Sequence, residues 1–142
     1  MQPTKTLRVL VALSGLIALA IGASILIDPA GFHAAHDIEL GSSASLMSEV
    51  RAPGGALLGL GLLMLVGAFQ RALTFTAGIL AAAVYLAYGV SRLLSVVLAG
   101  VPHEGLVGAT AIELVLGGAC AVALLHSARG SGPRRSRCTL AG

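Results

Sequence analysis

Long apolar runs separated by short polar stretches dominate the chain. The first runs from Val9 to Ile27, after Lys5 and Arg8 and before Asp28-Pro29. A second extends from Ala52 to Phe69, a third from Ala72 to about Leu98, and a fourth from about Leu106 to Leu125. A helix needs about 20 apolar residues to cross a ~30 Å hydrocarbon core, so each run predicts one membrane span. Two runs hold a single charge, Arg92 in the third and Glu113 in the fourth. The expected fold is all-α, an integral membrane four-helix bundle over residues 1–127 with a basic, disordered tail over 128–142. The first run exceeds the ~7–15 apolar residues of a cleaved leader and no small-x-small site follows it, so it is expected to persist as a span.

Composition narrows the class. Of 142 residues, 56% are apolar and only 11% charged, with a mean hydropathy of +0.94. Soluble domains carry about 25% charged residues, so a soluble globule and a disordered chain are both excluded. The length fits one domain.

The few charges are sorted by side. Lys5, Arg8, Arg71, Arg129, Arg134, Arg135 and Arg137 fall on the side shared by both termini and the second connection. All six acidic residues, Asp28, Asp37, Glu39, Glu49, Glu104 and Glu113, fall in the opposite loops or nearby helix ends. Basic residues mark the cytoplasmic side, which predicts a multi-pass protein with both termini cytoplasmic. The tail reads as a topology determinant, with binding to anionic lipid headgroups as the alternative. It lacks aromatic interleaving, and no nucleic-acid partner is expected. Cys120 reads as a small packing residue. With Cys138 it forms no Cys-x-x-Cys or zinc pattern, so neither a disulfide nor thiol redox chemistry is expected.

Helices in lipid associate through small residues and polar contacts. Gly15, Ala18 and Gly22 share a face of the first span, and Ala109, Gly117 and Cys120 flank Glu113 in the fourth. The second span offers Gly55 and Gly59 as a small-xxx-small pair, for packing within the bundle or for a homo-oligomer. In the first loop, Asp28-Pro29 is a helix-start pattern, predicting a short interfacial helix through Ile38. It carries His33 and His36 on one face; with Asp37, Glu39 or His103 these are weak candidate ligands for a divalent metal.

Ionisable groups inside spans are costly and point to function. Arg92 and Glu113 lie at matched depth, roughly 10 Å from the outer surface at 1.5 Å per residue. Helical steps from Arg92 bring Tyr88, Tyr85 and Ser95 onto its stripe, with Gly78, Ala81 and Gly89 beside it. Glu49 and Arg51 mark the outer start of the second span. Together these predict an inward-facing cluster of Glu49, Arg51, Tyr85, Tyr88, Arg92, Ser95 and Glu113. Three readings follow: paired charges that fix helix register, a pocket for an anionic or quinone-like small molecule, and a proton or ion path through Glu113. The aliphatic inner half of every span counts against the path. No nucleophile elbow, phosphate loop or His-Glu-x-x-His pattern is present, so no catalytic residue and no cofactor is predicted.

Ser48-Glu49-Val50-Arg51-Ala52-Pro53-Gly54-Gly55 opens the second span, and Ser91-Arg92-Leu93-Leu94-Ser95, Pro102 and Glu113 follow. In these residues the chain resembles the bacterial membrane family called domain of unknown function 4345, through its Glu-x-Arg-Ala-x-Gly-Gly signature, over roughly residues 7 to 125. Ala99-Gly100-Val101-Pro102 departs from the Asp-Gly-x-Pro-like turn expected there. The resemblance implies four spans in a bacterial inner membrane and assigns no particular activity. A looser likeness to small DoxX-type membrane proteins implies a quinone-linked redox accessory role. The partners expected are the lipid bilayer and, beyond it, other membrane subunits or further copies of the chain.

The predicted orientation can be read by thiol accessibility. A cysteine placed at Ser43 should label from outside intact cells, and one at Ser131 only after the membrane is opened.

Overall fold

The computed structural model describes residues 3–129. Among them are five helices and no strand: α1 (Lys5–Ile27), α2 (Pro29–Ala34), α3 (Ala44–Phe69), α4 (Thr74–Ala99) and α5 (Glu104–Arg129). α1, α3, α4 and α5 are each long and apolar enough to cross a membrane, so the four apolar runs become four helices. Ala128 and Arg129, assigned to the tail by composition, complete α5, and the rest of the expected tail lies outside the described residues.

The helices outrun the apolar runs because capping groups, rather than hydropathy, decide where a helix starts. Thr4 Oγ1 accepts the Leu7 amide at 3.2 Å, which starts α1 at Lys5 instead of Val9. Ser43 Oγ accepts the Leu46 amide at 3.2 Å, which starts α3 at Ala44 instead of Ala52. Pro53 thereby falls inside α3, where it removes one donor from the helical ladder. The Asp28 carboxylate accepts the Gly31 amide at 2.9 Å, with Pro29 at the first turn, and forms the predicted interfacial helix. That helix stops at Ala34, short of Ile38, and a turn with Asp37 at φ 58° follows.

Glycine sets the closest helix contact. A Cβ on Gly15 would meet the Gly61 carbonyl oxygen at 2.9 Å, and one on Gly22 would meet the Gly54 carbonyl oxygen at 2.6 Å. α1 and α3 therefore touch backbone to backbone. Gly55 and Gly59 take no part in this contact, since a Cβ on either meets nothing within 4 Å. The reason is register: Gly15 and Gly22 lie about two turns apart, and Gly54 and Gly61 repeat that spacing on the antiparallel partner. α4 and α5 form the second close pair, with Gly89 receiving Leu114 and Gly117 receiving Leu86. α3 and α5 lie on the long diagonal and share no contact.

The two pairs share a buried core at one end only. The buried core draws on Leu7 and Val11 of α1, Met64 and Ala68 of α3, Ala77, Ala81 and Tyr85 of α4, and Leu116, Cys120 and Leu124 of α5. All of these lie toward the end where α1 begins and α5 finishes. The hydrogen bonds between the pairs lie there too: Thr4 with Ser127 at 3.2 Å, Ser14 with Cys120 at 3.7 Å, and Tyr85 Oη donating to the Ser14 carbonyl at 2.7 Å. Helix ends in an apolar solvent need partners for their last carbonyls. Arg8 Nε donates to the Ala68 carbonyl at 2.9 Å and Thr74 Oγ1 to the Gly67 carbonyl at 2.8 Å. Exposed side chains such as Leu16, Leu63, Val90 and Val115 form the apolar outer face.

This register predicts opposite responses to alanine at neighbouring glycines. Gly22→Ala should cost about 1–3 kcal/mol through overpacking and lower the melting temperature in detergent, whereas Gly59→Ala should not lower it. Equal losses at both positions would contradict the assigned contact.

Candidate functional site

Where the core ends, a cavity begins. It encloses about 410 Å³ between the two helix pairs, next to α2, within the range of small-molecule sites. Ala18, Ile21 and Ile25 of α1, Leu57 of α3, and Leu106 and Ala109 of α5 supply apolar walls, and Phe32 of α2 an apolar roof. Tyr85 closes the side toward the core, its hydroxyl already donated to the Ser14 carbonyl of α1. The lining residues that stay exposed, Ile38, Pro53 and Tyr88, mark a mouth between α3 and α4.

One ion pair stands on the wall. Arg92 Nε donates to both carboxylate oxygens of Glu113, at 3.0 and 3.2 Å. Gly89, one turn away on α4, lets Leu114 of α5 approach closely, which brings the two charged side chains within reach of each other. The carboxylate is largely enclosed, at 12% exposed, while the Arg92 side chain keeps 34% of its surface open. The guanidinium is held by its Nε edge alone, and among the described residues no acceptor meets its two Nη groups. The Tyr88 hydroxyl likewise has no partner among the described residues, and 37% of that residue is exposed at the mouth.

The roof is tied down by short local contacts. His33 Nδ1 lies 2.7 Å from the Pro29 carbonyl and His36 Nδ1 lies 3.0 Å from the Phe32 carbonyl, each one turn back along the chain. His36 sits just past α2, in the turn, with its ring edge-on to His103 at a centroid distance of 6.3 Å. His103 accepts the Gly105 amide on Nδ1 at 3.2 Å and presents Nε2 to Asp37 at 3.8 Å. Residues just before α5 thus meet the turn after α2.

The predicted cluster assembles in part. Tyr85, Tyr88, Arg92 and Glu113 line the cavity together. Glu49, Arg51 and Ser95 do not join them: all three are exposed and none lines the cavity. Because Ser43 starts α3 early, Glu49 and Arg51 lie on a helical turn above the cavity, and Arg51 follows the outward face of Gly55 and Gly59. Ser95 lies one turn beyond Arg92, past the mouth. His33, His36 and His103 reach the roof region, yet no three His, Cys, Asp or Glu side chains among the described residues come together as a metal site. The sequence marks Arg8 only as a basic flank, with no sign of its bond to the Ala68 carbonyl, and a lone serine such as Ser14 carries no periodic signal.

Loss of the carboxylate should strand the guanidinium. Glu113→Ala is expected to cost about 1–3 kcal/mol and to lower the melting temperature in detergent, whereas Ser95→Ala leaves it unchanged. A Glu113→Ala protein as stable as the parent would overturn the pairing.

No curated protein and no solved structure matches the chain. A family profile does, over residues 6–124, which takes in α3 and α4, nearly all of α1, most of α5, the cavity and the Arg92–Glu113 pair, and by that match the chain belongs to the family described as domain of unknown function (DUF4345).

Proposed function

We propose that this protein is a membrane module that holds a small amphiphilic molecule in the cavity beside α2, with its termini on the cytoplasmic side and the cavity in the outer half of the bilayer. The observation that carries the reading is the pairing of an apolar chamber of about 410 Å³ with one anchored arginine whose Nη groups have no acceptor among the described residues. An apolar body suits the walls, and a polar head suits the guanidinium and Tyr88. The mouth between α3 and α4 opens sideways, the direction from which a molecule dissolved in the bilayer arrives. The sorting of basic residues supports the orientation.

Two other readings draw less support. A proton path through Glu113 needs polar groups beyond it. Toward the opposite end lies the apolar core, whose buried Ser14 and Thr74 hydroxyls are already used on backbone carbonyls. A role purely as a partner subunit leaves the cavity without a purpose. A quinone-linked role, of the kind the DoxX-type likeness implies, uses this same cavity and differs only in the molecule held.

Native mass spectrometry of protein taken from membrane in mild detergent tests the proposal. The parent should retain an apolar small molecule, whose mass separates a lipid from a quinone. Ala109→Phe, which fills the chamber, should reduce its occupancy severalfold while the fold is kept. Protein recovered empty, or equal occupancy in both, would sink the reading.

A further inference from the structure

The polar inventory of the cavity says more about the head of the molecule it would hold. We infer that the site selects a neutral amphiphile whose head carries both an acceptor oxygen and a hydroxyl, over a fatty-acid or phosphate anion; this rests on the cavity being a ligand site.

The full charges on the lining are Arg92 and Glu113, and they cancel. An anion drawn to the open Nη groups would also feel the Glu113 carboxylate on the far side of the same guanidinium, which offsets much of the attraction. It would have to shed its water among apolar walls as well, a cost that falls far more heavily on a charge than on a neutral oxygen. A carbonyl or ether oxygen avoids both penalties and can accept from Arg92 Nη and the Tyr88 hydroxyl.

The roof supplies the complementary group. In the neutral ring, the Nδ1–H of His33 donates to the Pro29 carbonyl and that of His36 to the Phe32 carbonyl. The tautomer so held leaves Nε2 of each ring as a lone-pair acceptor; that of His36 lies beside Gly105 at the start of α5, and that of His33, on the cavity lining, suits a hydroxyl on the ligand. Donors on α4 and acceptors on the roof call for a head that both accepts and donates. Monoacylglycerols and hydroquinones share that chemistry.

The test titrates the purified full chain in detergent, at mildly alkaline pH where oleate is ionised, with monoolein, oleate and a short-tailed hydroquinone, following thermal stabilisation and native mass. Monoolein or the hydroquinone should bind at least tenfold more tightly than oleate, and whichever of the two is preferred assigns the source of the head. Glu113→Gln keeps an acceptor for Arg92 Nε while removing the negative charge, and should raise oleate affinity tenfold or more. Tyr88→Phe, at the exposed mouth, should weaken the neutral ligand severalfold at an unchanged melting temperature, and it decides the matter if the Glu113 variant does not fold. Oleate binding as tightly as the neutral probes, or a Tyr88→Phe protein indistinguishable from the parent, overturns the selectivity while leaving the cavity a ligand site. Failure of all three probes overturns that reading together with this one.

Discussion

Inside a bilayer the surroundings are as apolar as the side chains, so burying leucine gains little and close approach gains much. The contact on which this fold depends is accordingly the one where side chains are missing. Gly15 and Gly22 of α1 lie against Gly61 and Gly54 of α3, close enough that a single added carbon at either end would strike a backbone carbonyl. That contact occupies one face of α1. A second face, carrying Leu7, Val11 and Ser14, remains to join the α4–α5 pair, and it does so at one end of the bundle. The other end is left without a core, and the cavity occupies the room between the pairs. Packing and cavity are two results of one constraint, because a pair fixed so tightly cannot also close over its whole length onto its neighbour.

Polar groups follow a similar economy. Thr74 and Arg8 satisfy the last carbonyls of α3, Ser14 bonds back to Leu10, and Tyr85 bonds across to the Ser14 carbonyl. These are local answers to a solvent that offers no hydrogen bonds. Arg92 is only half answered: its Nε edge is held by Glu113, its Nη groups meet no acceptor among the described residues, and it lines the chamber with Tyr88. Anchored and open at once, it differs from every other intramembrane polar group among the described residues, and the functional proposal rests on that difference.

Some of the site could be read directly. Arg92 and Glu113 stand alone in apolar runs at matched depth, and an isolated charge there is too costly to lack a partner. That each is paired therefore follows from position, while the packing of α4 on α5 selects Arg92 over Arg51 for Glu113. Tyr85 and Tyr88 follow from the helical repeat. Glu49 and Arg51 mislead because the apolar run begins at Ala52, while the Ser43 cap begins the helix at Ala44 and places both on an exposed turn. For a related reason, Gly55 and Gly59 are not the glycines that meet α1: the run Gly54-Gly55-Ala56-Leu57-Leu58-Gly59-Leu60-Gly61 contains several small-residue spacings. Only the partner helix selects among them.

The sequence alone therefore determined the solvent, the number of spans and the two charges, Arg92 and Glu113, that stand inside them. Each depends on composition or on the spacing of residues within one helix. Tertiary structure decided which glycines meet, which end of the bundle has a core and which has a chamber, and that the segment from Phe32 to Ile38 roofs it. Those outcomes depend on the register between helices, which arises only when two surfaces are brought together and a mismatch of one carbon atom can exclude one arrangement in favour of another.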